Sequence, residues 1–295
     1  MACLYEDLPE TIDADKALRE TVSYWQDWTA RANLVGEYAD AVERSLITLK
    51  ALTYQHTGGI VGAPTTSLPE RLGGERNWDY RYCWLRDATS SLLALMNAGY
   101  FEEACAWRDW LLRAAAGSPD QVQIMYGIRG ERQLIEWEVN WLRGYEDSRP
   151  VRIGNAAFSQ LQLDVYGEVA DALLHGYLGG IPVSATALGL QGALTDHLVT
   201  IWEQADHGIW EVRGEPQNFT YSKVMAWVAF DRALKIAKKF GLRGDLTRWR
   251  ETRDQIHRYI CDNCFDRELG SFTQNPGSKE LDASLLLMPL VDFCR

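Results

Sequence analysis

The sequence predicts an all-α protein built from paired helices, an α/α barrel. Apolar residues recur at three- and four-residue spacing along almost the whole chain, without a convincing set of alternating strands. The helices defined in this way are joined by long and short connections that alternate strictly.

Each element has its own signal. Residues 14–33 read as a first helix with Leu18, Val22, Trp25 and Trp28 on one face. Residues 38–54 follow, with Ala41, Val42, Leu46, Leu49 and Leu52 on one face. Helices over 87–98 and 101–116 stop at Gly99 and Gly117, since glycine accepts the left-handed conformation that closes a helix. Further helices are expected over 156–175, 184–202, 220–240 (stopped by Gly241), 245–261 and 281–293, and residues 268–274 suit a short hairpin. The long links follow residues 54, 116, 202 and 261, and the first two run to about 30 and 40 residues, far beyond the usual ~12–15. With successive helices antiparallel, every long link emerges at one end of the bundle, so a functional end faces a bland one.

Composition narrows the function. The chain has 295 residues, 46% hydrophobic and 24% charged, which argues against disorder. Its 30 Lys+Arg against 41 Asp+Glu give a net charge of −11, with no basic excess to neutralise nucleic-acid phosphates. No apolar run approaches the ~20 residues of a membrane span. The opening MACLYEDLPETIDADK lacks the pattern of a signal peptide, so a cytoplasmic location is expected. Of the six cysteines, only Cys261 and Cys264 form a CxxC, at a predicted helix end and without a second pair. His56, His175, His197, His207 and His257 are scattered. Neither a metal nor a cofactor is expected.

The chemistry-bearing residues fall in the long links. The first contains Gly58-Gly59-Ile60-Val61 and then Asn77 to Asp87, with four aromatics, two arginines and two aspartates in eleven positions. The second contains Glu136-Trp137-Glu138 and Tyr145 to Arg152, the third Asp206 to Gly214. Indole faces beside carboxylates and guanidinia suit a neutral polyhydroxylated ligand. The 12 tryptophans divide accordingly: Trp78, Trp84, Trp210 and, more weakly, Trp137 lie in loops, while Trp25, Trp107, Trp110, Trp227 and Trp249 occupy helical packing positions. In the pairs Trp137–Glu138 and Trp210–Glu211, a glutamate against an indole is partly desolvated, which raises its pKa and suits a general acid. The competing reading has each carboxylate pair with a nearby arginine such as Arg213.

At these residues the chain resembles glycoside hydrolase family 15, the glucoamylase-like family with its bacterial trehalase branch. The resemblance runs from about Tyr38 to the C-terminus and is carried by GGIVGAPTTSLPE (58–70), NWDYRYCWLRDA (77–88), GNAAFSQLQLDVYGE (154–168), GIWEVRG (208–214), SKVMAWVAFDRA (222–233) and ELDASLLLMPL (280–290). It implies an (α/α)6 barrel and inversion at the anomeric carbon of an α-glucoside such as trehalose or a malto- or isomalto-oligosaccharide. Arg86 and Asp87 match the pair that grips the non-reducing-end glucose. Tyr80 and Trp84 match the aromatics of that subsite, with Trp210 counted among the substrate-binding residues. Glu211 matches the general acid, and Glu138 has no role that transfers.

The family's general base lies in a segment resembling GNFPQAFSH, which this sequence does not contain. The expected architecture is therefore a partial (α/α)6 barrel with about eight of twelve barrel helices, preceded by a linker helix. Residues 1–36 form the linker region, and 37–295 an incomplete catalytic domain lacking its C-terminal part. The expected function is that of an inverting, exo-acting α-glucoside hydrolase, impaired as an isolated chain because the base segment is absent. The alternatives are a non-catalytic sugar-binding remnant and one half of a split enzyme. An open barrel exposes apolar inner faces, so a complementary fragment or a second copy is an expected partner.

Overall fold

The computed structural model describes residues 12–294. Eight α-helices are present among them: α1 (Ala14–Thr29), α2 (Ala39–Ala51), α3 (Leu85–Asn97), α4 (Phe101–Ala114), α5 (Asp164–Leu178), α6 (Ala185–Ile201), α7 (Thr220–Phe240) and α8 (Leu246–Asn263). Three two-residue strand pairs decorate the loops. β1 (Cys83–Trp84) pairs with β2 (Met125–Tyr126), β3 (Trp137–Glu138) with β4 (Arg152–Ile153), and β5 (Phe265–Asp266) with β6 (Ser271–Phe272), all antiparallel. The last pair is the expected hairpin, centred slightly earlier than 268–274.

Helices α3, α5 and α7 lie side by side as an inner layer, with α4, α6 and α8 packed outside. The α5–α7 approach is close because residue 167 is glycine: a Cβ there would run into the Met225 backbone of α7. Most of α5 and α7 is buried, as expected of helices covered on several sides. The connections α2–α3, α4–α5 and α6–α7 are long, whereas α3–α4, α5–α6 and α7–α8 are short. The N-termini of α3 and α5 consequently open towards the long loops, as does the segment leading into α7.

Three expectations need correction. Residues 156–163 are not α-helical. A 3-10 turn at Ala156–Ser159 gives way to an extended Gln160, and α5 starts at Asp164. Asn155 favours this turn by accepting a hydrogen bond from the Ala157 N–H. The last expected helix, 281–293, is only a 3-10 segment at Ala283–Leu287 followed by turns. Pro289 lacks an N–H and its ring would clash with the carbonyl of Leu285 in a continued α-helix. Finally, α1 forms but does not bury its predicted face. Leu18 and Val22 are exposed and Trp25 is half-buried, leaving Trp28 as the anchor. The Trp28 indole stacks on Tyr100 with ring centroids 4.1 Å apart and donates to Glu103 at 3.2 Å.

No helix among the described residues is long and apolar enough to cross a membrane.

Candidate active site

The long-loop end carries an open cleft of about 790 Å³ lined by Trp78, Tyr80, Trp84, Arg86, Asp87, Trp210 and Glu211, with Glu70, Arg76, Asn155 and Arg213 among its other walls. All six residues singled out from the sequence for the site, Tyr80, Trp84, Arg86, Asp87, Trp210 and Glu211, therefore meet in one place. Three come from the α3 entry. Trp84 is the N-cap residue of α3, and Arg86 and Asp87 sit in its first turn.

Glu211 is supplied by the loop before α7. That loop is closed at its base by an antiparallel bridge between Asp206 and Gln217. Its entry is held by the fully buried Lys223, whose ammonium donates to the carbonyls of Trp202 and Gln204 at 2.7 and 2.6 Å. Asp206 accepts the Leu163 N–H at 2.8 Å, and the His207 N–H donates to the Leu161 carbonyl at 3.0 Å. Glu211 adopts φ 52, the left-handed region that costs a side-chain-bearing residue energy. These contacts hold it there.

The two donors to Glu211 converge on one oxygen. Trp84 Nε1 donates to Oε1 at 2.7 Å and the Arg86 guanidinium at 3.1 Å. Burial raises the Glu211 pKa above the ordinary carboxylate value; Arg86 and the Trp84 N–H pull it back, and the Asp87 charge adds to the rise. With Oε1 occupied by two donors, a proton on the neutral acid belongs on Oε2. Glu211 does pair with an arginine, as the competing reading has it, but with Arg86 and not with Arg213. Arg213 donates instead to Glu136 and Asn155, both at 3.2 Å.

Asp87 accepts no side-chain hydrogen bond from another described residue, so its carboxylate is available to a ligand. Burial pushes its pKa up, with Arg86 pulling it back. Tyr80 tilts against Trp84 with ring centroids 5.7 Å apart, and its hydroxyl likewise has no partner among the described residues. Trp210 is half-exposed over the cleft, and its indole N–H is held by both oxygens of Asp282 at 3.1 and 3.0 Å. Aromatic faces beside unpartnered carboxylate and hydroxyl groups suit a sugar ring, apolar on its C–H faces and polar at its rim.

The second tryptophan–glutamate pair lies elsewhere. Glu138 lines a separate cavity of about 390 Å³ and pairs with Arg152 at 3.5 Å, and Trp137 packs towards Trp141 on the exterior. The other aspartate of the NWDYRYCWLRD segment, Asp79, is fully buried. Burial by itself would raise its pKa, but hydrogen bonds from Arg81 at 2.8 and 2.7 Å and from the Gly154 N–H bring it below the ordinary value. It fixes the loop and does not face the cleft. The sequence placed Trp78 among the loop tryptophans but gave no sign that the guanidinia of Arg152 and Arg213 would lie over its ring, 4.6 and 4.4 Å from the centroid. Nor did it single out Gln162 and Asp164, which accept from Arg86 at 2.8 and 2.9 Å. Reading 156–175 as one helix concealed their alternation with Leu161 and Leu163.

The helical array, with its loop-built cleft of indoles, a guanidinium, a carboxylate and a desolvated glutamate, defines an α/α-barrel protein with a polar, aromatic-lined cleft at one end. The chain belongs to the glycosyl hydrolases family 15, whose model matches residues 36–295. It is 40% identical over 291 residues to a trehalase of Mycobacterium tuberculosis, covering 97% of this chain and 42% of that protein. It is 39% identical over 276 residues to a trehalase of Thermoplasma acidophilum, covering 94% of this chain and 47% of that protein. The chain thus spans less than half the length of these curated relatives. Among solved structures, a bacterial glucoamylase complexed with acarbose aligns with TM-score 0.64 at 16% identity, over 92% of this chain and 37% of that one. A glucoamylase from Saccharomycopsis fibuligera aligns with TM-score 0.57 at 15% identity, over 85% of this chain and 57% of that one. The shared fold is the glucoamylase-like α/α barrel.

Proposed function

We propose that the cleft binds the non-reducing-end glucose of an α-glucoside, with trehalose the first candidate, and that Glu211 is the general acid of an inverting exo-hydrolysis. The observation that carries this reading is the double occupation of Glu211 Oε1 by Trp84 and Arg86, which reserves Oε2 for the glycosidic oxygen. Asp87 and Arg86 take hydrogen bonds from and give them to the glucose hydroxyls, while Tyr80, Trp84 and Trp210 supply apolar area. Protonation of the leaving oxygen by Glu211 lets the anomeric C–O bond break with oxocarbenium character. Water adds from the opposite face and loses its proton to a second carboxylate, which in inverting enzymes stands ~6.5–9.5 Å from the acid.

That base is assigned to a segment outside the 295 residues, so these residues supply binding and the acid. Residues 37–295 are taken as the catalytic-domain portion and α1 as a linker docked through Trp28. The polypeptide of these residues is expected to bind glucose or trehalose by calorimetry and to hydrolyse trehalose, maltose and isomaltose slowly if at all. Adding the complementary part of the barrel in trans should restore turnover that Glu211→Gln abolishes. Fast hydrolysis by the 295-residue polypeptide, or complemented turnover indifferent to Glu211→Gln, would overturn the reading.

A further inference from the structure

Three residues at the entrance to α5 tie the acid's loop to the inner helices. Gln160, Gln162 and Asp164 alternate with Leu161 and Leu163, and the polar three are joined in a hydrogen-bonded row whose last link runs through Arg86. Gln160 Nε2 donates to the Val212 carbonyl, next to the acid, at 3.1 Å. Gln162 Nε2 donates to Gln160 Oε1 at 3.0 Å. The Oε1 of Gln162 and the Oδ2 of Asp164 then receive one guanidinium nitrogen of Arg86 at 2.8 and 2.9 Å, and the other terminal nitrogen of Arg86 donates to Glu211. The circuit closes on the Glu211 loop twice, once through the backbone at Val212 and once through the Glu211 side chain.

Asp164 is the charged member. It is fully buried at the first turn of α5, where the helix N-terminus favours an anion. Its Oδ1 is buried without a hydrogen-bond partner, so Arg86 supplies its ion pair. Arg86 is therefore shared between Asp164 and Glu211. An undivided guanidinium would hold Glu211 as the anion, which has no proton to give.

We propose that Gln160, Gln162 and Asp164 are positioning residues for Glu211, with Asp164 drawing the Arg86 charge away so that Glu211 stays a proton donor. This rests on Glu211 being the general acid. The titratable groups around the cluster are Arg86 and Asp87 from α3, Asp164 and Glu168 from α5, Asp206 from the loop before α7, Tyr221 from α7, and Tyr80 from the loop before β1. Asp164 and the uncharged Gln162 are the side chains that accept from the other terminal nitrogen of Arg86, so changing them acts on Glu211 through Arg86.

The test reads Glu211 without turnover. In the chain carrying 15N-labelled tryptophan, the Trp84 indole N–H resonance reports the ionisation of the oxygen it donates to, and its pH titration gives the Glu211 midpoint. Asp164→Asn frees Arg86 for Glu211 and should lower that midpoint by about one pH unit or more. Gln162→Glu places a negative charge on the same guanidinium nitrogen and should raise it. Opposite shifts support the proposal. Unchanged midpoints, or shifts in the same direction, overturn it. Should Asp164→Asn fail to fold, Gln162→Glu decides the matter alone, an upward shift supporting and an unmoved midpoint overturning. Opposite shifts together with complemented turnover that survives Glu211→Gln would leave the electrostatic coupling standing and remove the catalytic reading of Glu211.

Discussion

The indole nitrogen of Trp84 lies 2.7 Å from Oε1 of Glu211, although 127 positions separate the two residues in the chain. One comes from the cap of α3, the other from a loop closed on itself before α7. Their contact makes Trp84 more than a flat surface for a sugar. It is also a donor that fixes which oxygen of the acid is free. Any change at Trp84 thus acts on ligand packing and on acid geometry together.

Glu211→Gln should separate binding from chemistry. Glutamine keeps an oxygen for Trp84 and Arg86 but has no acidic proton to deliver. In the complemented enzyme kcat should fall by about 10²–10⁴, the usual span for a lost general acid, with sugar affinity within a few-fold of the parent. Steady-state kinetics beside calorimetry with glucose reads both. A large loss of affinity with kcat preserved would mean that Glu211 binds without catalysing.

Trp84→Phe removes the indole donor and leaves an aromatic ring. The Trp84 hydrogen bond holds the Glu211 pKa down, so its loss lets the pKa climb further. The acid then stays protonated to higher pH, and the basic limb of the kcat/KM profile should move upward in the complemented enzyme. An unmoved or lowered limb would contradict the assignment of that limb to Glu211.

Glu168 makes stability depend on pH. It accepts from Tyr221 at 2.9 Å and Thr89 at 3.3 Å between the inner helices, and burial, reinforced by Asp164, pushes its pKa from 4.5 up to about 7. A folded-state pKa above the unfolded one means that the native state holds more protons in this window. Its contribution is complete below about pH 4.5 and is lost as pH rises through about 7, by at most about 3 kcal/mol. Asp206, pushed up to about 6 by burial, acts in the same direction. The melting temperature should therefore fall between pH 5 and pH 8, and Glu168→Gln should flatten that fall. A melting temperature rising across this range, or an equally steep fall in the variant, would refute the assignment.

The helices were legible because their signals are local. Apolar spacing and the glycine stops depend on neighbours within a few residues, and α2 to α8 appear where such signals place them, apart from the residues ahead of α5. The loop residues of the cleft were legible as a composition, several aromatics and charges crowded into one link. Which of them face one another was not. The Glu138 and Glu211 segments look alike in sequence, each a glutamate after a tryptophan. Only tertiary contacts divide them, one turned to Arg152 outside the cleft and the other to Trp84 and Arg86 within it. The alternation at 160–164 is a strand-like signal only five residues long, and the helical spacing that begins at Val165 masked it.

The attachment of α1 offers a sharper mutational test, because Trp28 is the buried side chain at its centre. Trp28 is buried, stacks on Tyr100, donates to Glu103 and leaves most of α1 exposed. Lys50 of α2 closes the group by donating to the same Glu103 oxygen at 2.9 Å. The hydrogen bonds from Lys50 and Trp28 outweigh burial and keep the Glu103 pKa below its ordinary value, so the carboxylate remains charged at neutral pH. Trp28→Ala removes the stacked ring and a donor at once. Large-to-small changes of buried tryptophan cost about 3–5 kcal/mol, and here that energy is confined to the docking of α1. The helix should detach while the inner layer persists. Limited proteolysis should then cut near residues 30–37 much faster than in the parent, with the melting of the barrel helices nearly unchanged. Equal cleavage rates would show that α1 is held by contacts other than Trp28.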